Sequence, residues 1–172
     1  METEQMEIIK SSRHQKIIGD FGEHLICNWL SQSGFEVTIV DHTGIDIIAY
    51  NPQTKQRLGI TVKSRTRSAG KEETTVKIFS YQKGGNDREK LLSACNAFSC
   101  EPWIAVYVDE TSEAADVYLT SLKNYDEKYR GREGKAIDDW KMRKKDKEKY
   151  EKDYNVKHIR IEFHTTNWDW GE

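Results

Sequence analysis

Cysteine, long apolar runs and an export-type leader are what this sequence is short of, and each shortage removes a class of protein. No stretch approaches the roughly 20 consecutive apolar residues that a membrane-spanning helix requires, so no membrane association is expected. The opening Met1-Glu2-Thr3-Glu4-Gln5 is acidic and polar, without the basic and then apolar regions of a secretion signal. The three cysteines, Cys27, Cys95 and Cys100, form no C-x-x-C pair. An odd, scattered set argues against a disulfide framework or a zinc site and for reduced thiols in a cytoplasmic compartment. Apolar residues make up 36% of the 172 and charged residues 33%. That balance suits a compact centre with a heavily solvated extension better than a uniformly packed globule.

The formal charge of −2 conceals an asymmetry. Residues 1–54 hold 3 Lys/Arg against 8 Asp/Glu, residues 55–90 hold 10 against 4, and the remainder 14 against 17. A general polyanion binder is excluded by the total, while the middle segment qualifies as a phosphate-facing surface.

Periodicity then orders the chain. Ile17, Phe21, Leu25 and Trp29 recur at four-residue spacing, with Ile18, Ile26 and Leu30 widening the stripe, which predicts a helix over 13–33. Ser11 or Ser12 is its expected cap and Gly34 its left-handed stop. Strands are expected over 35–40, 45–50, 58–63 and 74–79, with Asn51-Pro52 breaking the chain between the second and third. A second helix over 86–97 carries Leu91, Leu92 and Cys95. The apolar run Trp103–Val108 reads as a strand covered on both faces. Further strands fall at 117–120 and 156–163. Residues 123–153, with 12 Lys/Arg and 9 Asp/Glu, read as a polar connection followed by a solvated helix. No internal repeat is present. The order defines an α/β class with a mixed sheet.

The chemistry concentrates in Gly44-Ile45-Asp46-Ile47-Ile48-Ala49 and Ile60-Thr61-Val62-Lys63-Ser64-Arg65. An acid opens one strand and a lysine closes the next. Alternation places Thr61 and Lys63 on the same face, and a hairpin brings Asp46 beside both. Burying either charge alone is costly. Two readings therefore stand: a salt bridge at the end of a sheet, or a carboxylate holding a divalent cation with an ammonium beside a phosphate or an attacking water.

Here the sequence resembles the PD-(D/E)XK nuclease superfamily, restriction-endonuclease-like and Holliday-junction-resolvase-like, over residues 13–108. The matching pieces are Gly19-Asp20-Phe21-Gly22-Glu23, Gly34-Phe35-Glu36-Val37, Gly44 to Ala49, and Val62-Lys63-Ser64-Arg65 in that order. The resemblance implies a restriction-endonuclease-like core, a central mixed sheet flanked by helices, over 1–122. A charged helical extension over 123–155 and a strand with an aromatic tail over 156–172 complete one domain. It also implies a metal-dependent DNA endonuclease, a hydrolase using Mg²⁺ or Mn²⁺, with DNA as partner and a homodimer as the expected assembly. Carried over, Asp46 is a metal ligand, Glu23 a helix carboxylate assisting it, and Lys63 the residue positioning water or phosphate. Ser64, Arg65 and Arg67 follow as phosphate contacts in the basic segment.

One position departs from the family pattern. The second acid, two residues before the lysine, is Thr61. A hydroxyl fills a coordination place but brings no charge to a hard cation. The candidates for a replacement acid are Glu23, Glu72, Glu73 and Glu89. The alternative function is a nuclease-fold module without catalysis that binds DNA or a protein partner. The five histidines show no metal-pair spacing, and His42, four residues before Asp46, reads as a loop residue. Trp168 and Trp170 are candidates for stacking on bases or a partner, or for closing over the core.

Overall fold

The apolar run from Trp103 to Val108 becomes the strand on which the molecule is built. In a computed structural model describing residues 10–67, 75–82, 85–109, 113–134, 136–164, 166–167 and 169–171, Ile104 to Val108 are all buried. They lie in β5 (Glu101–Asp109). Ahead of it come α1 (His14–Gln32), β1 (Glu36–His42), β2 (Ile45–Tyr50), β3 (Arg57–Thr66), β4 (Thr75–Lys77) and α2 (Asp87–Ala97). After it come β6 (Ala114–Ser121), α3 (Leu122–Lys128), β7 (Asp139–Lys141), α4 (Lys144–Lys152) and β8 (Val156–Glu162). Six strands form one sheet in the order β1-β2-β3-β5-β6-β8, and β4 pairs with β7 separately. β3 and β5 are parallel, with α2 in the crossover; the other pairs are antiparallel. The mixed sheet flanked by helices is the architecture expected from the sequence.

Alternation along β5 divides the interior in two. Ala105 and Tyr107 join Ile26 and Leu30 of α1 on one face, with Ile47, Ile60 and Val62. Ile104, Val106 and Val108 join Leu91, Ala94 and Cys95 of α2 on the other. All three thiols are free, and burial pushes that of Cys95 up to about 12.

Three expectations change. The buried line of α1 is Gly22, Ile26 and Leu30, whereas Ile17 is 58% exposed and Phe21 and Trp29 are also exposed. Gly22 is the cause: a Cβ there would lie 2.1 Å from Ser64 Oγ and 3.3 Å from Tyr107 Cβ. The helix seats on its glycine and turns the four-residue ridge toward its flank. Neither Ser11 nor Ser12 caps α1; Arg13 holds the N-cap position without a side-chain bond. The charged stretch 123–155 is not a solvated extension. Tyr125, Trp140, Met142 and Tyr150 are buried in the α2-side core, where Trp140 packs against Tyr118, Tyr125, Tyr129 and Tyr150. Sparse aromatics suffice because each buries a large area.

The charges of that stretch are spent on docking it. Asp116 of β6 is 1% exposed, and accepts from His158 Nε2 (2.8 Å), Arg160 Nη1 (3.1 Å) and the buried Lys147 Nζ of α4 (3.3 Å). Burial alone would raise its carboxyl pKa; the His158 bond and the charges of Lys147 and Arg160 carry it below the usual range. Trp170 is 82% exposed, and Met1–Gln5, Glu72, Glu73, Thr74 and Trp168 lie outside the described residues. Asp116→Ala, which would leave the buried Lys147 without this carboxylate, should cost about 3–5 kcal/mol in urea unfolding at neutral pH. In the native protein, the stabilisation from a depressed carboxyl is complete above about pH 4 and fades as pH falls through the folded value.

Candidate functional site

β2 and β3 stay paired only as far as Ile47 opposite Ile60. Beyond that point the strands separate, and the Asp46 side chain enters the fork. Its Oδ2 accepts the Val62 backbone N–H at 2.6 Å and the Thr61 hydroxyl at 3.3 Å. The carboxylate thus takes a donor that a continued ladder would have matched with a carbonyl. Oδ1 has no partner among the described residues. Gly44 makes the approach feasible: at φ +105 it is in the glycine region, and a Cβ there would lie 2.4 Å from the Lys90 carbonyl oxygen. The start of β2 is tucked against the first turns of α2.

The residues singled out from sequence partly converge. Asp46, Thr61 and Lys63 line one small pocket of about 150 Å³, together with Thr43, Gly44, Asp87 and Lys90. Asp46 and Lys63 are half-buried but form no ion pair with each other, so the simple salt bridge is not what holds them. The Lys63 ammonium has no hydrogen bond or ion pair among the described residues. Thr61 is 7% exposed, and its hydroxyl is directed to Asp46.

Glu23, on α1, lies outside the lining of that pocket but within the electrostatic reach of Asp46. It borders the seating line at Gly22 and is half-buried. Its carboxyl pKa is raised, first by burial, then by the negative charge of Asp46 and that of Asp20, against the opposing pull of His24 and Lys16. Two carboxylates, Glu23 and Asp46, therefore share a field with no bound countercharge among the described residues. Such an arrangement favours protonation of one acid or the arrival of a cation.

The remaining predicted residues are dispersed. The Ser64 hydroxyl is buried against Gly22 and without a partner among the described residues. Arg65 is exposed, its Nη1 donating to the Ser64 carbonyl at 2.7 Å. Arg67 is 4% exposed, in the interior rather than on an open surface. Glu89 is exposed and outside the pocket lining. His42 stacks edge-on against Phe98 at 5.2 Å, a packing role. Beyond Lys63, the ends of β3 and β5 are tied together: His14 Nε2 lies 2.8 Å from the Thr66 hydroxyl, which donates to Asp109 Oδ2 at 3.0 Å, and Tyr107 donates to Asp109 as well.

Asp87 and Lys90 are the charged residues of the pocket that the sequence pattern does not single out. Both lie in the first turns of α2, remote in sequence from the motif strands. The only local signal was Asn86, which caps the Arg88 and Glu89 amides and so fixes where the helix starts.

β3 and β5 run parallel beside an antiparallel β1–β2–β3 meander, and helices flank the mixed sheet, the architecture of a restriction-endonuclease-like fold. Among solved structures the chain is similar to Archaeoglobus fulgidus Hjc, a Holliday junction resolvase from an archaeal hyperthermophile. The TM-score is 0.50 at 18% identity, over 74% of this chain and 85% of that one. The likeness is one of fold. No protein-family model matches this sequence, and no curated protein matches it. No helix among the described residues is long and apolar enough to cross a membrane.

The electrostatic link between the two carboxylates has a direct readout. Replacing Asp46 by Asn removes the like charge and should lower the Glu23 pKa in a carbon-detected NMR titration. Asp46→Asn also keeps an acceptor for Val62 N–H, whereas Asp46→Ala leaves that amide unmatched and should cost about 1–3 kcal/mol more.

Proposed function

We propose that this protein is a divalent-metal-dependent phosphodiesterase that cuts DNA, with Asp46 and Glu23 as the carboxylates of the metal site, Thr61 as a neutral donor beside them, and Lys63 as the residue that orients water or phosphate. The observation that carries the reading is Asp46, held by the Val62 amide, beside Thr61 and Lys63 in one small pocket, with the Lys63 ammonium in no ion pair among the described residues. A half-buried carboxylate and ammonium so placed are costly to a fold that does not use them.

The donor set fits a weak Mg²⁺ or Mn²⁺ site. Among the described residues no three His, Cys, Asp or Glu side chains converge as a metal cluster. Magnesium, however, is commonly held by one or two carboxylates, several waters and the substrate's own phosphates. The bound ion would supply charge neutralisation at the phosphoryl oxygens and an acidified water. On the protein side, Asp46 is held by the Val62 amide through one oxygen, and the other has no partner among the described residues. Lys63, on the same face of β3 as Thr61, adds positive charge where the attacked phosphate gathers negative charge. The exposed Arg65 is a backbone-phosphate contact in this reading; Ser64 and Arg67 were nominated for the same role from sequence, and their burial makes them supports for β3 in it. The fold shared with a Holliday junction resolvase makes branched DNA the first substrate to try, and a homodimer the first assembly to test.

Thr61 favours a second reading, a nuclease-fold module that binds DNA without cutting it, because the hydroxyl adds no charge to hold the ion. One experiment separates the two. Labelled duplex and four-way-junction DNA should be cleaved in Mg²⁺ or Mn²⁺, not in chelator, and Lys63→Ala should slow cleavage by at least about 100-fold. Cleavage that survives both chelator and Lys63→Ala would overturn the proposal. DNA binding with no cleavage in either metal would leave the binding module.

A further inference from the structure

The pocket beside Asp46 holds a second lysine that the motif does not supply. Lys90 stands in α2, and its ammonium rests on Asp87 Oδ1 at 3.4 Å. Asp87 is itself anchored, its Oδ2 accepting the Ser80 backbone N–H at 3.0 Å. The Lys90 stem is confined on one side by Gly85, where a Cβ would lie 2.5 Å from Lys90 Cε. On the other side the Lys90 carbonyl is the surface against which Gly44 packs. The lysine is therefore held over the mouth of the pocket by its backbone, its stem and one carboxylate.

That carboxylate holds it loosely. Both side chains of the pair are about one-third exposed, and exposed pairs of this kind contribute little. A phosphate oxygen is a stronger, charge-assisted acceptor. Two lysines and two aspartates lining one small cavity are formally neutral as they stand. When a phosphodiester enters, Lys90 can exchange Asp87 for phosphate at small cost, and the pocket then presents Lys63 and Lys90 to the same group.

We propose that Lys90 is a second phosphate-binding residue of this site, and that Asp87 is the positioning residue that holds it in the DNA-free protein. The inference rests on the reading of this face as DNA-facing, but not on catalysis. It places one DNA phosphate between β3 and α2. It also gives the basic segment 55–90 its point of contact from two separate elements rather than from one strand.

Binding measured in chelator isolates this contact from metal and turnover. Fluorescence anisotropy with labelled duplex DNA over a range of salt should give a linear fall of log K with log salt. In Lys90→Gln the slope should shrink by about 0.9, the counterion release of one phosphate contact. Lys90→Arg, which keeps the charge, should restore it, and that restoration excludes a folding defect as the cause. An unchanged slope in Lys90→Gln overturns the proposal, as does a protein that binds no DNA. If the native protein cuts DNA and the Lys90→Gln slope is unchanged, the phosphodiesterase reading stands and this one falls. If the slope shrinks but no metal supports cleavage, the reverse holds.

Discussion

The interaction on which the site depends is a side-chain carboxylate doing the work of a backbone carbonyl. Asp46 Oδ2 accepts the Val62 amide where β2 and β3 stop pairing. Without that acceptor the fork would carry an unmatched, partly buried N–H. With it, the strands can part, and Asp46, Thr61 and Lys63 line a small pocket. The same bond occupies one oxygen of Asp46 and leaves the other without a partner among the described residues.

Around this bond the electrostatics are left unsettled. Glu23 is held in the field of Asp46, with its pKa raised, while Lys63 stays near without closing an ion pair. Elsewhere the molecule pairs its buried charges thoroughly. Asp116 is met by Lys147, His158 and Arg160, Asp153 by Lys128, and Asp138 by Arg130. The contrast is local and chemical: charges that hold the fold together are matched, and those in the fork are not. At Thr61 a hydroxyl stands beside Asp46 where a third acid would add repulsion.

The second constraint is the close contact of α1 with β3 at Gly22. It decides the rotation of the helix and, with it, which side of α1 meets the sheet. Because Gly22 lies on the seating line, its neighbour Glu23 borders that line and comes within the influence of Asp46. The exposed Ile17, Phe21 and Trp29 are the counterpart of that choice. On the other face, Trp140 and the tyrosines around it recruit a highly charged stretch into the core. A few rings supply the apolar area, and ion pairs such as Lys147 with Asp116 remove the charges from solvent in compensated form.

Short-range rules make the element order legible in the sequence as far as β6, and with it the nearness of Asp46, Thr61 and Lys63: alternation in strands, the break at Asn51-Pro52 and the apolar run of β5. Tertiary structure alone decided the rest. The rotation of α1 depended on one steric contact with Ser64 and Tyr107, which outweighed the stronger apolar spacing of Ile17, Phe21, Leu25 and Trp29. The fate of 123–155 depended on partners in β6 and β8 that make its charges affordable. Asp87 and Lys90 joined the pocket because the β3–α2–β5 crossover returns the start of α2 to the mouth of the fork. Local periodicity reports which residues want burial, but not which distant backbone will come close enough to meet them.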